Sequence, residues 1–163
     1  EEGMTDADTR DRRQLRTVAD YQFGPGAGVA LFPAEEDLRI DRTSSGRPSQ
    51  VHADGGRIVT YAVDGRFTLG VEGGRRLLSA LDTPAYRVVV GDESEPFVRD
   101  GKNAFAKFVR DADPGIRPGD EVAVVDETDA LLAVGRAELS ADAMADFQTG
   151  MAVKVRAGHA DPA

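Results

Sequence analysis

The chain has no cysteine, which excludes disulfides, a thiol nucleophile and cysteine-ligated zinc. Lysine is nearly as scarce: of 20 basic residues only Lys102, Lys107 and Lys154 are lysine, and the rest are arginine. The only histidines, His52 and His159, stand apart from any pattern of metal ligands or a catalytic triad. No run approaches the roughly 18 apolar residues of a membrane helix, and no signal-peptide pattern is visible, so a cytoplasmic location is expected. Glu1 to Gly3, which precede Met4, read as a cloning remnant and are left out of the fold. There is no internal repeat and no low-complexity segment.

What is present fits one domain or two small ones: 163 residues, 40% of them apolar, with a formal net charge of −9. An acidic surface poor in lysine suits a cytosol rich in salt, where the Debye length shrinks to about 3 Å near 1 M. The expected source is therefore a halophilic archaeon. Acidity ordinarily argues against nucleic-acid binding, because phosphates attract Lys and Arg. In such an organism a protein can be acidic everywhere except on its RNA-binding face, so the exclusion is weakened.

The pattern is organised around Ile116 to Val125, where Pro118 and Gly119 form a turn that feeds a β-branched strand. Upstream, residues 1 to 13 read as a flexible tail. A helix starting near Asp8 places Leu15, Val18, Ala19 and Gln22 or Phe23 on one side and stops at Gly24. The glycines at 24, 26 and 28 follow a helix and open a strand over 28 to 32, the reverse of a dinucleotide-binding loop, so they read as a connector. Residues 41 to 47 form a polar loop whose two arginines could hold a phosphate, although a solvated loop is the simpler reading. Asp64 and Gly65 mark a hairpin between strands 57 to 63 and 67 to 72. A helix over 75 to 81 then ends near Pro84, the expected domain boundary.

Beyond Pro84, strands are expected over 87 to 90 and 96 to 99, with a turn at Asp100 and Gly101. From Lys102 to Arg110 the spacing predicts a helix, with Ala104, Phe105, Phe108 and Val109 facing the core and Asn103, Lys107 and Arg110 opposite. A strand over 131 to 138 follows. Ser140 caps a helix over 141 to 147, with Leu139 and Met144 placed as a hydrophobic staple. A half-exposed strand over 151 to 156 carries Lys154 and Arg156 on one face.

These blocks resemble the PUA domain, the RNA-binding module named after pseudouridine synthases and archaeosine transglycosylases. The carrying residues are Gly101 with Ala104 and Phe105; Ile116, Pro118, Gly119, Asp120, Val122 and Val124; Ala133 to Ala137 with Ser140 and Met144; and Gly150 to Arg156. Upstream, Tyr21 to Gly24, Gly46 with Arg47, and Asp64 with Gly65, Thr68 and Leu69 resemble the small domain preceding PUA in archaeal archaeosine tRNA-guanine transglycosylases and archaeosine synthase. The run from Glu95 to Lys102 leading into Phe105 to Val109 does the same. Where many PUA domains have a Gly-Val pair, this chain has Phe108 and Val109, as the transglycosylase branch does. Together the resemblance covers roughly residues 14 to 158.

The resemblance implies an α+β fold: a small N-terminal α+β domain over 14–84, then a PUA mixed β pseudo-barrel with two short helices over 85–158, with a tail over 159–163. It also implies that RNA lies against the first helix, the strand before it and the last strand. Position by position, that implicates Val98 and Arg99, Gly101 and Lys102, Asn103, Lys107 and Arg110, and Lys154 and Arg156. A glycine ahead of a helix would let a phosphate reach free N–H groups, with flanking cations adding charge-assisted bonds.

No candidate active site emerges. Glu35 with Glu36 and Asp126 with Glu127 read as acidic surface, and Pro96 breaks the phosphate-loop spacing before Gly101 and Lys102. No cofactor and no metal are expected. The expected function is RNA binding, at the acceptor stem and 3′ end of tRNA, in support of a modification such as archaeosine formation, with neither DNA nor membrane as partner. A protein-interaction module that docks a separate catalytic subunit, or an enzyme with an unrecognised site, are the alternatives.

Overall fold

A computed structural model describes residues 6–160, the side chains of Asp6 and Ala7 excepted. Residues 1–5 of the expected N-terminal tail and 161–163 of the C-terminal one lie outside the described residues. The helix α1 (Asp6–Phe23) buries Leu15, Ala19 and Phe23, the spacing anticipated. It begins earlier than the sequence suggested, and residues 6–13 are not a tail. Arg12 explains why: it is buried and donates hydrogen bonds to the carbonyls of Pro33, Ala34 and Glu36, fixing the first turns to the rest of the domain.

The expected strand at 28–32 is instead a short helix, α2 (Ala27–Leu31). Two contacts hold it. The Asp20 carboxylate accepts from the Gly28 amide at 2.7 Å, and Gly28 lies so close to α1 that a Cβ there would be 2.4 Å from the Arg16 carbonyl.

Four antiparallel strands complete the N-terminal domain in the order β1 (Arg39–Arg42), β2 (Pro48–Ala53), β3 (Gly56–Tyr61) and β4 (Phe67–Leu69). The Asp64–Gly65 hairpin is present between β3 and β4. Ile40, Val51, Val59 and Leu69 stand opposite one another and face the helices. The polar loop at 41–47 turns out to be a second hairpin, and its arginines are occupied. Arg42 pairs with Asp8 and Asp11, while Arg47 lies 4.3 Å over the Tyr61 ring and donates to the Ala62 carbonyl.

The helix α3 (Val71–Ala80) starts four residues earlier than expected and packs on the other domain. Gly74 makes that approach possible, since a Cβ added there would sit 2.4 Å from Val134 Cγ1. We expect Gly74→Val to overpack this seam at a cost of about 2–3 kcal/mol, read as a fall of roughly 5–10 °C in the thermal midpoint. An unchanged midpoint would show that the two domains do not depend on this contact.

The C-terminal sheet has the order β6 (Ala104–Phe105), β10 (Met151–Gly158), β9 (Leu131–Ala137), β8 (Glu121–Val125), β5 (Arg87–Val90) and β7 (Val109–Ala112). Only β5 and β8 run parallel. The two edge strands, β6 and β7, are joined by the single 3-10 turn Ala106–Phe108, so the sheet curls into a nearly closed pseudo-barrel. The organising strand β8 is buried along its whole length. Val122 and Val124 face the barrel interior, while Ala123 joins Leu131 and Val134 in the core of the N-terminal domain.

Polar contacts seal the boundary as well. Arg87 donates to the Leu78 and Leu81 carbonyls at the end of α3 and pairs with Asp129 of the β8–β9 turn. The outer edge of β4 is closed by Gln22, which both donates to and accepts from Phe67, and by Glu121 and Arg156, which take the Leu69 amide and carbonyl.

Two short helices flank the barrel, as expected in number, but only the second is in its expected place. The segment expected as a strand at 96–99 is the helix α4 (Glu95–Arg99). The expected helix at 102–110 is β6, the 3-10 turn and the start of β7. The last helix, α5 (Ala141–Asp146), is capped as anticipated, with the Ser140 hydroxyl accepting from the Ala143 amide. Leu139 and Met144 both pack into the barrel core. His159 is not in a tail: its amide donates to the Leu132 carbonyl.

Candidate nucleic-acid interface

Proline in the first turn and glycine after the last define α4. Gly101, at φ +94°, lets the Lys102 amide donate to the Phe97 carbonyl and its own amide to that of Val98. Gly101 therefore ends a helix rather than preceding one, and among the described residues no helix starts directly after it to receive a phosphate. The end of β10 presses against this turn, where a Cβ on Gly158 would be 2.0 Å from the Arg99 carbonyl.

Directly after the turn the chain lies down beside β10. The Asn103 side-chain carbonyl accepts from the Val155 amide at 2.9 Å, and then Ala104 and Phe105 pair with Val153 and Met151. This brings Lys102 and Lys154 each within one residue of the Asn103–Val155 contact. At the other end of the seam the Ala106 amide donates to the Gly150 carbonyl, and Lys107 follows in the 3-10 turn. All three lysines of the protein thus lie along the seam between β6 and β10.

These lysines are largely free. Lys154 has no ion-pair partner among the described residues and stands opposite Arg136 of β9. Among the described residues Lys107 makes only a contact with the Phe108 ring, at 5.1 Å. Lys102 is 3.7 Å from Asp100, and both side chains are mostly exposed, so that pair contributes little.

The remaining expected contact residues are committed elsewhere. Val98 is a core residue, 1% exposed, and offers RNA no side chain. Arg99 is half-buried, pairs with Glu95 and donates to the His159 carbonyl. Asn103 spends its carbonyl on Val155. Arg110 lies on β7, just beyond the 3-10 turn that holds Lys107, and is paired with Glu93. Arg156 reaches to Glu121 through two hydrogen bonds and contributes to the domain boundary. Of the expected set, Lys102, Lys107 and Lys154 lie along the seam without a strong ion pair among the described residues, and Gly101 closes α4 beside Lys102.

Two surface aromatics went unremarked in the sequence, and a third was misplaced. Phe97 is 61% exposed, Phe105 44% and Phe147 50%, although the helical reading had put Phe105 in the core. The signal that could have revealed them is that the barrel strands already supply enough Val, Leu and Ala to fill the interior.

The acidic pairs carry structural work. Arg76 hydrogen-bonds Glu36 and holds its carboxyl below the usual range, and Asp126 accepts from the Thr128 and Ala130 amides within the β8–β9 turn. A polar cleft of about 230 Å³ at the domain boundary contains Arg66, Tyr86, Asp113, Arg117 and Asp120. Its carboxylates are also spoken for: Asp113 accepts from the Tyr86 and Gly115 amides and Asp120 from that of Arg117. Burial raises the Tyr86 hydroxyl pKa. Among the described residues no three His, Cys, Asp or Glu side chains come together as metal ligands, and no helix is long and apolar enough to cross a membrane.

The family comparison agrees with this architecture. Residues 86–159 match the PUA domain, and residues 13–84 match the patch-forming domain C2 of tRNA-guanine transglycosylase. The C-terminal barrel is a PUA domain. It is 52% identical over 147 residues to a tRNA-guanine(15) transglycosylase from Pyrococcus abyssi, and 47% identical over 158 residues to one from Methanothermobacter thermautotrophicus. Those matches cover 90% and 96% of this chain but only 24% of each relative, so the chain spans about a quarter of their length. Among solved structures, a hypothetical protein from Pyrococcus horikoshii OT3 superposes with a TM-score of 0.68 at 22% identity, covering 94% of this chain and 93% of that one. A PUA domain protein from Thermoplasma acidophilum gives 0.64 at 21%, covering 93% and 92%. Both support the fold, including the juxtaposition of a PUA barrel with a smaller preceding domain.

Proposed function

We propose that this protein binds RNA along the β6–β10 seam of its PUA domain and serves as the tRNA-recognition part of a modification system of the archaeosine type. It holds the acceptor stem and 3′ end and supplies no catalytic group itself. The observation that carries the reading is that all three lysines of a chain with net charge −9 fall on one seam, with no strong ion pair among the described residues to neutralise them. The similarity to tRNA-guanine(15) transglycosylases supports tRNA as the RNA and a modification as the purpose. Gly101 ends α4 and sets the direction in which the chain enters the seam at Lys102. Val98, Asn103 and Arg156 shape the surface without contacting RNA through their side chains, and Arg99 and Arg110 sit at its margins.

The salt-rich cytosol inferred from the composition belongs to the same reading, so the test is a titration in about 0.2 to 1 M KCl. Intact tRNA is compared with tRNA lacking its single-stranded 3′ end, for the parent protein and Lys107→Glu. Binding is expected to fall with either change. Equal binding to both RNAs, or none by protein shown to be folded, would replace this reading with that of a unit that docks a catalytic subunit.

A further inference from the structure

The polar cleft between the domains holds charges of both signs that do not meet. Arg66, from the β3–β4 hairpin, and Arg117, from the turn before β8, line it from opposite domains, and neither side chain makes a hydrogen bond or ion pair among the described residues. Asp113 and Asp120 line it too, and among the described residues neither carboxylate has an ion-pair partner. Backbone amides take both oxygens of Asp113 and Oδ2 of Asp120, while Oδ1 of Asp120 has no partner among the described residues. These bonds fix the carboxylates in place without neutralising them. Glu121, the remaining carboxylate of the cleft, is matched by Arg156. The unmatched charges are therefore Arg66 and Arg117 against Asp113 and Asp120, and the cleft as a whole is neutral.

One wall of the cleft is strained. Tyr86 stands at φ +61°, a left-handed conformation that a bulky side chain rarely adopts. Its amide bond to Asp113, its hydroxyl bond to the Gln22 carbonyl and the edge-on contact of its ring with Phe23 hold it there. Burial raises the pKa of that hydroxyl, and the charges of Asp120 and Asp113 raise it further, so both carboxylates lie near the same wall. Strain of this kind persists where the surroundings fix it, and it gathers at sites that clamp a ligand. A single ion would be drawn to one pair of charges and repelled by the other, whereas a molecule bearing both signs gains from both pairs. The cleft's 230 Å³ equals roughly seven or eight water molecules, the size of an amino acid. We propose that the cleft binds a small zwitterion of the α-amino-acid class, its carboxylate drawn to Arg66 and Arg117 and its ammonium to Asp120 and Asp113. Because the two arginines belong to different domains, the ligand ties the domains together. No residue of the lysine seam lines the cleft, so the site stands apart from the RNA-binding reading.

The test is an NMR titration of the full chain in about 0.2 M KCl, where charges are not yet fully screened. The probes are L-glutamine, which carries both charges, acetate, which carries only the negative one, and ethylamine, which carries only the positive one. The amide resonances of Gly115 and Arg117, both bonded to the cleft carboxylates, are expected to shift to saturation with millimolar L-glutamine and to move little with either single ion. Arg66→Gln and Asp120→Asn should each weaken L-glutamine binding about tenfold or more. Arg66 is exposed and without a partner among the described residues, and asparagine keeps an oxygen for the Arg117 amide, so both variants should unfold at the temperature of the parent. Acetate or ethylamine binding as tightly as L-glutamine would overturn the zwitterion site in favour of a simple ion site. The absence of a saturable shift with L-glutamine, or unchanged L-glutamine binding in both variants, would overturn it as well and leave the RNA reading standing.

Discussion

Glu121→Ala is expected to destabilise the protein by about 3 kcal/mol, a fall of roughly 6–12 °C in the thermal midpoint. Glu121 is only 5% exposed, and three groups depend on it. Arg156 donates to both carboxylate oxygens, at 2.6 and 2.7 Å, and the Leu69 amide of the N-terminal sheet donates at 2.8 Å. Arg57 adds a second guanidinium nearby: burial lowers its pKa, and so does Arg156, while Glu121 raises it. Removing the carboxylate leaves a buried amide unpaired and two cations adjacent. The Arg156 side chain keeps 29% of its exposure, so solvent softens the loss and the expected cost stays at the lower end for a broken buried pair. Glu121→Gln, which keeps an acceptor for Leu69 and one for Arg156, should cost about half as much. A Glu121→Ala midpoint within a degree or two of the parent would show that the apolar seam alone joins the domains. Proton exchange at the Leu69 amide separates the cases, since only loss of this acceptor exposes it.

Arg156 also shows where reading by residue type stops being informative. On a strand that alternates polar and apolar residues it is indistinguishable from Lys154, and both were expected to face RNA. What separates them is a partner 35 positions away in the chain. The β8 turn and strand, the hairpin at Asp64–Gly65 and the capped α5 were legible because their signals are local: proline and glycine fixing φ, a hydroxyl one residue before a helix. The segment 102–110 was misread because two short strand pieces around a 3-10 turn place apolar residues at i, i+1, i+4 and i+5, as a helix does. Its neighbour α4 did announce itself, with Pro96 in the first turn and Gly101 past the end, the usual asymmetry of a helix. The helix α2 and the β1–β2 hairpin had no such announcement. The first exists because Gly28 admits close contact with α1, and the second is polar on its outer face and buries little on its inner one.

Of the candidate site, the lysines were legible because scarcity made them conspicuous, whereas their convergence needed the pairing of β6 with β10. That convergence gives the largest expected effect. Replacing Lys102, Lys107 and Lys154 together by Glu should weaken tRNA binding on the order of a hundredfold or more at about 0.2 M KCl, while each residue, being exposed, leaves stability within about 0.5 kcal/mol of the parent. The diagnostic quantity is the slope of log affinity against log salt. Each phosphate contact on duplex RNA contributes close to one unit, so the triple variant should be shallower by about two to three, with the single variants contributing comparable shares. Arg39→Glu, on β1 of the N-terminal sheet and already paired with Asp41, serves as the control of equal charge change and should leave the slope nearly intact. If it flattens the slope as much as Lys107→Glu does, attraction comes from the diffuse field of the whole molecule and the seam has no special place in it. If only the three lysines count, the acidic remainder of the surface acts as a guide, repelling RNA from every approach except the one that lays it along β6 and β10.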